Sequence, residues 1–352
     1  MKITHLSLID YVYKFRDGPY VMSHITQVDL PVRLVRLEFA DGRMGWGEVV
    51  RKGFYNDLAP QKEDQVVTSL QGASENALEE VVVDLRRQGP EMRGLAFGLE
   101  TAMLDATARQ LRCPLYKMLG GLRQEILDEY YGPTAMSVDE LETLLSTSPR
   151  LWRVFQLKLG VDSLKSDIER IEIAMKYASQ EQIVLADFNG GLTRERAIET
   201  VVQFDDPRLI WEEPCKVLDD NLEVIERTGK AVMLDQCMDG LPAFMQALES
   251  DLPHSLAIKP AFLGGLVPAR TARDLCMECG MRVRVDGPWC GSVAAAAVVS
   301  LACGTPKDSL VASCDLRQPL LIEENWGDIR RSAPWRIGPS PDFGHGIQPT
   351  FT

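Results

Sequence analysis

Val184-Leu185-Ala186-Asp187-Phe188-Asn189 is a short apolar run that ends in a carboxylate and an amide, and it is one of eight such runs. They lie near 126–132, 154–160, 183–189, 209–214, 231–235, 255–260, 282–287 and 309–314, each followed by a helical stretch. Marker positions 132, 158, 187, 212, 235, 259, 286 and 314 stand 23–29 residues apart. A strand, a loop, a helix and a second loop fill about that length. A doubly wound sheet is the rival, but eight near-equal units favour a closed (β/α)8 barrel.

Before the barrel the texture differs. Residues 2–13 and 28–50 alternate like antiparallel strands, with a hairpin turn at Asp41-Gly42. From about 61 to 119 the pattern is helical, with Leu99, Met103, Ala106 and Leu111 on one period and Gly120-Gly121 ending it. The fold class is therefore α/β: an N-terminal α+β capping domain over 1–125, a barrel over 126–320, and a segment over 321–352 that returns to the capping domain.

Composition narrows the function. Apolar residues make up 45% and charged ones 25%, enough for a large core and too ordered a balance for a disordered chain. A net charge of −13 repels phosphate backbones, so nucleic acid is a poor partner. No apolar run reaches the ~20 residues a membrane span needs, and the opening Met1-Lys2-Ile3-Thr4-His5-Leu6 lacks the apolar core of a secretory signal. The eight cysteines sit mostly in apolar segments and read as reduced packing residues of a cytoplasmic protein.

The chemistry lies where the apolar runs end, because the C-terminal edge of barrel strands forms the active face. Lys158, Asp187, Glu212, Asp235 and Lys259 close five successive runs, and Asp286 closes the next. Carboxylates from three neighbouring strands can converge on one hard cation, which suits Mg2+. A lysine beside a metal and a second cation can have a lowered pKa and act as a base. One such residue is ordinarily a helix cap or a surface charge; five in register are a site.

This order resembles the enolase superfamily, in its muconate-lactonizing-enzyme-like branch. Gly45-Trp46-Gly47-Glu48 resembles the hairpin of that family's capping domain. Ala102 to Gly121 resembles the helix leading into its barrel, and Gln156-x-Lys158 its second-strand lysine motif. Asp187-x-Asn189, Trp211-Glu212-Glu213-Pro214 and Leu234-Asp235-Gln236 resemble its three metal strands, and Lys259 before Gly264-Gly265-Leu266 its second base. The resemblance implies one Mg2+ per site held by Asp187, Glu212 and Asp235, with Lys158 and Lys259 taking and returning the α-proton of a carboxylate substrate through an enediolate. It also implies assembly into homo-oligomers. Gln236 stands where the family often has Glu, which removes a charge behind the third ligand. None of the four histidines, His5, His24, His254 and His345, ends the seventh strand, which argues against the mandelate-racemase-like branch.

Asp286-Gly287-Pro288-Trp289-Cys290-Gly291 resembles a stretch of members acting on proline betaines. Trp289 could stack on a substrate ammonium and Asp286 could pair with it. Gln156 and Asn189 are further candidate substrate contacts, and Tyr20 and Tyr55 could close over the site from the capping domain. The preferred expectation is a racemase or epimerase of a proline-type amino acid or betaine. The alternatives are a dehydratase of a hydroxyproline such as cis-3-hydroxy-L-proline, a dipeptide epimerase or cycloisomerase, and a binding protein that has lost catalysis.

Overall fold

A computed structural model describes residues 1–21, 26–51, 58–147, 151–287, 289–313, 317–318 and 320–351. Strands β1 (Ile3–Phe15), β2 (Asp29–Phe39) and β3 (Met44–Val49) form an antiparallel sheet. The β2–β3 hairpin turns at Asp41-Gly42, where Gly42 takes a φ of 84° that a side chain would disfavour. Helices α1 (Pro60–Ser69), α2 (Glu75–Gln88) and α3 (Arg93–Gln110) pack on that sheet.

The eight expected runs form one parallel sheet among the described residues. Its strands are β4 (Tyr130–Tyr131), β5 (Val154–Lys158), β6 (Ile183–Asp187), β7 (Leu209–Glu212), β8 (Val232–Leu234), β9 (Ser255–Ile258), β10 (Arg282–Val285) and β11 (Leu310–Ser313). They follow one another in chain order, and a parallel bridge from Glu129 to Ser313 joins the last to the first. The sheet is therefore a closed barrel, and the doubly wound alternative is excluded. Helices α4 (Val138–Thr147), α5 (Leu164–Tyr177), α6 (Arg194–Val201), α7 (Leu218–Thr228), α8 (Leu241–Ser250), α9 (Pro260–Leu263), α10 (Leu266–Glu278) and α11 (Ser292–Ala302) lie in the connections.

Strand residues two apart share a face. Val154, Leu185, Ile210 and Met233 pack together in a small cluster with Val311 and Ala312. Two residues further along, the same parity places Gln156, Asp187, Glu212 and Asp235 above that apolar plug. After the barrel the chain crosses back. A two-residue strand, β12 (Leu320–Leu321), pairs with Phe15 and Lys14 of β1. Residues 344–347 then dock on α3, where Asp105 accepts from the His345 amide and Arg109 donates to the Ile347 carbonyl.

Glu48 of β3 reaches across to the N-terminus of α11 and accepts from the amides of Gly291 (2.5 Å) and Ala294 (3.3 Å). It caps a helix whose eleven residues are all buried, and an otherwise orphaned helix end is satisfied from the other domain. Burial pushes the Glu48 carboxyl up to about 7, against the pull of those two amides. A folded pKa above the unfolded one means the folded state holds an extra proton between the two, so the contribution of Glu48 falls as pH rises through that window. The unfolding free energy of the wild type minus that of Glu48→Gln should therefore drop by roughly 1–3 kcal/mol between pH 5 and pH 8. Urea titrations at several pH values measure it; a gap that is flat or widens with pH would refute the assignment.

Candidate active site

Register brings the polar ends together. Lys158 of β5 pairs with Asp187 of β6, and Asp187 pairs with Glu212 of β7. Asp235 follows β8 and Lys259 follows β9. In a ring of eight strands the second and sixth are diametrically opposed, so the two lysines face each other across the barrel with the three acid strands between them. All five side chains are turned inward and are buried or nearly so.

Each acid has a cation against it. The Lys158 Nζ donates to Asp187 Oδ2 at 2.5 Å, and the Lys259 Nζ lies 2.7 Å from Asp235 Oδ1. A residue the sequence reading passed over, Arg284 of β10, completes the set. Its Nη1 stands 2.7 Å from Glu212 Oε1, its Nη2 2.9 Å from Asp235 Oδ1 and its Nε 2.8 Å from Asp286 Oδ2. Burial pulls the two ammonium groups down, but the carboxylates prevail and hold both lysines above the usual range, Asp187 foremost for Lys158 and Asp235 for Lys259. The lowered lysine pKa expected from the sequence belongs to a site whose carboxylates are committed to a metal; with the acids facing the lysines instead, the sign reverses. Burial likewise raises Glu212 and Asp286, while Lys259 and Arg284 overcome burial and lower Asp235.

Neighbouring polar groups orient the acids. Gln156, two residues before Lys158, donates to Glu212 Oε2 at 2.8 Å. Asn189 gives its backbone and side-chain nitrogens to the two oxygens of Asp187. Both amides were candidate substrate contacts, and both have their nitrogens on acids here. Glu213 lies behind the third acid: its buried carboxyl group, which burial pushes up to about 8, accepts from the amides of Asp235 (2.6 Å) and Cys237 (2.8 Å), fixing the turn that aims Asp235 inward. Glu213 reaches this place through a φ of 42°, a strained conformation of the kind that collects at functional sites.

The donor set fits a hard divalent cation in kind: three buried carboxylates from adjacent strands, without cysteine or histidine. The buried Glu212 Oε1 meets the Arg284 Nη1 at 2.7 Å but has no hydrogen-bond donor aligned on it, so its acceptor capacity is only partly used. Among the described residues, no three acidic, histidine or cysteine groups form a ready-made metal cage, and each of the three acids has a cation against it.

Above the acids lies a cavity of about 1110 Å³, lined by Gln156, Lys158, Asn189, Glu212, Asp235, Lys259, Asp286, Trp289 and Tyr20 among others. Asp286 is engaged by Arg284 and by the Tyr130 hydroxyl, which donates to its Oδ2 at 3.1 Å. Trp289 meets Tyr20 and Phe15 edge-on, with ring centroids 4.2 and 5.2 Å away, so capping domain and barrel share one aromatic wall. The Tyr20 hydroxyl donates to the Gly132 and Pro133 carbonyls of the loop after β4. Tyr55 lies outside the described residues.

Comparison with known proteins agrees with this geometry. Residues 139–349 match the family model for the enolase C-terminal domain-like fold. Residues 5–120 match that of the mandelate racemase/muconate lactonizing enzyme N-terminal domain. The chain belongs to the enolase superfamily, in its muconate-lactonizing-enzyme-like branch. A relative within the superfamily, cis-3-hydroxy-L-proline dehydratase of Roseibium aggregatum, is 25% identical over all of this chain and 97% of its own length. N-succinyl-L-Arg/Lys racemase of Bacillus cereus is 21% identical over 98% of this chain and 95% of its own. A solved superfamily structure from Roseovarius nubinhibens, complexed with magnesium, shares the fold with a TM-score of 0.86, 21% identity and 99% and 96% coverage. The protein is thus an enolase-superfamily enzyme of the racemase, epimerase, dehydratase or cycloisomerase kind. No helix among the described residues is long and apolar enough to cross a membrane.

Proposed function

We propose that this enzyme removes the proton next to the carboxylate of a small proline-type substrate and then either expels a β-hydroxyl group or returns the proton to the other face. The observation that carries the reading is the pair of lysines, Lys158 and Lys259, at opposed strand ends of one cavity with three carboxylates between them. Asp187, Glu212 and Asp235 would hold Mg2+, as resemblance to the magnesium-bound relatives suggests. When bound, the metal would draw charge from the substrate carboxylate and make the adjacent carbon acid strong enough to ionise.

The remaining work falls to the protein. One lysine takes the α-proton, and the other faces the opposite side of the same carbon framework. In a cis-3-hydroxyproline the carboxylate and hydroxyl share a face, so the α-hydrogen and the hydroxyl lie on opposite faces. An opposed pair suits that arrangement: one amine accepts the proton while the other ammonium protonates the departing hydroxyl, and water leaves. The same pair inverts the centre when the second ammonium protonates carbon instead. Similarity to the hydroxyproline dehydratase across the whole chain supports elimination first. Trp289, Tyr20 and Phe15 offer an apolar wall suited to a pyrrolidine ring.

The test is a panel of hydroxyprolines, prolines and their betaines with Mg2+ in D2O. Loss of water with imine formation from cis-3-hydroxy-L-proline is the expected result. Deuterium uptake at the α-carbon with inversion and no change in composition would reassign the enzyme as an epimerase. Absence of either across the panel would overturn the proline-type substrate.

A further inference from the structure

Arg284 is the charge that the sequence reading did not anticipate, and its position is informative. It is 1% exposed, and its guanidinium lies among Glu212, Asp235 and Asp286. We propose that Arg284 competes with the divalent cation for Glu212 and Asp235, and that metal binding requires it to withdraw onto Asp286 and the Tyr130 ring. Arg284 then sets how tightly and how selectively the site takes metal. This rests on the reading of Asp187, Glu212 and Asp235 as metal ligands.

Three observations carry it. First, Glu212 has one oxygen committed to a neutral donor, since Gln156 binds Oε2. The other, Oε1, is the one a metal would use, and the Arg284 Nη1 stands against it at 2.7 Å. Second, that contact is an ion pair without hydrogen-bond alignment: Nη1 and Nε of Arg284 and Oε1 of Glu212 all lack an aligned partner. A guanidinium settled for good in a carboxylate pocket would use its planar fork in two parallel bonds. Third, the seat to which it would withdraw already exists. Asp286 lies 2.8 Å from Nε, and the guanidinium carbon is 5.2 Å from the centroid of Tyr130, close enough for cation–π attraction.

A second consequence concerns Asp286. A carboxylate that receives Arg284 is already neutralised, so Asp286 acts as a counter-ion to the arginine and not as the acceptor of a cationic substrate group. Arg284 is thus a positioning residue, acting through the ligands.

The test is Mg2+ titration calorimetry on metal-free protein, with no substrate present. Arg284→Met should bind Mg2+ at least tenfold more tightly than wild type, because one competing charge is gone. Saturating Mg2+ should raise its melting temperature more than it raises that of the wild type. Arg284→Lys keeps a charge but cannot bridge two acids, so its affinity should rise by a smaller factor; it serves if the Met variant does not fold. Asp286→Asn, which removes the withdrawn seat, should bind Mg2+ more weakly than wild type. A merely structural arginine would give unchanged or weaker binding in both Arg284 variants, and that result overturns the proposal. Glu212→Gln separates the two failures: if it leaves Mg2+ affinity unchanged, the ligand reading itself is wrong. If it abolishes binding while the Arg284 variants match wild type, only the role of Arg284 is wrong.

Discussion

Alanine at Lys158, or at Lys259, should each lower net conversion of substrate by about 10²–10⁴-fold with Mg2+ binding retained. The two variants should then differ in isotope exchange. A lysine touches only the face it projects from, so washout of the α-hydrogen from a given stereoisomer survives in the variant that keeps the lysine on that face. It disappears in the other variant. Deuterium incorporation followed by NMR, for each stereoisomer and each variant, reads this directly. Conversion within tenfold of wild type in either variant would remove that lysine from the chemistry. The assays belong in Mg2+, for a reason the structure supplies. Lys158 is the ammonium on Asp187, which is fully buried. Removing it leaves a buried charge without its partner, a loss on the order of 3–5 kcal/mol in metal-free protein. Divalent cation would offset much of that by taking over the charge.

How far this site could be read from the chain depends on parity. Five inward positions at strand ends stood out, because Asp187, Glu212, Asp235 and Lys259 each follow an apolar run and Lys158 follows one broken only by Gln156. Arg284 did not, although the same two-residue rule puts it below Asp286 just as Gln156 lies below Lys158. Arg282-Val283-Arg284-Val285 alternates charge with valine, and alternation ordinarily marks a strand with one wet face. In a barrel the inner face is as dry as the outer one, so an inward arginine there had to have partners, and counting acids against cations at the rim would have found it. Helix α3 shows the opposite limit. Leu99 and Ala106 are buried as the period predicts, Met103 is partly so, and Leu111 is exposed beyond the last turn. The period described one wet face, yet the helix is wedged between the capping sheet and the barrel, so Glu100 and Asp105 are buried too. Which elements flank a helix is a tertiary fact that its own residues do not encode.

The close approach of β3 to α3 explains the Gly45-Trp46-Gly47-Glu48 hairpin, and it yields the largest expected stability effect. Gly94, Gly98, Ala102 and Ala106 recur every four residues, making a stripe of small side chains along α3. Strand β3 lies against that stripe. A Cβ added at Gly47 would fall 1.9 Å from the Gly98 carbonyl oxygen, and one at Gly45 2.1 Å from that of Ala102. Both obstacles are backbone, so no rotamer change relieves them. Gly47→Ala should therefore cost more than about 4 kcal/mol, beyond ordinary overpacking. The strand must move away from α3, and Glu48, one residue on, would be drawn off the amides of Gly291 and Ala294. The loop carrying Trp289 leads directly into that helix end, so the mouth of the cavity would loosen with it. Gly42→Ala is the matched control. Its φ of 84° disfavours a side chain, but a Cβ there meets nothing within 4 Å, so the cost should be about 1–2 kcal/mol. Urea unfolding of the two variants side by side decides the matter: equal losses would mean that backbone conformation, and not the close approach of β3 to α3, is what requires glycine in this hairpin.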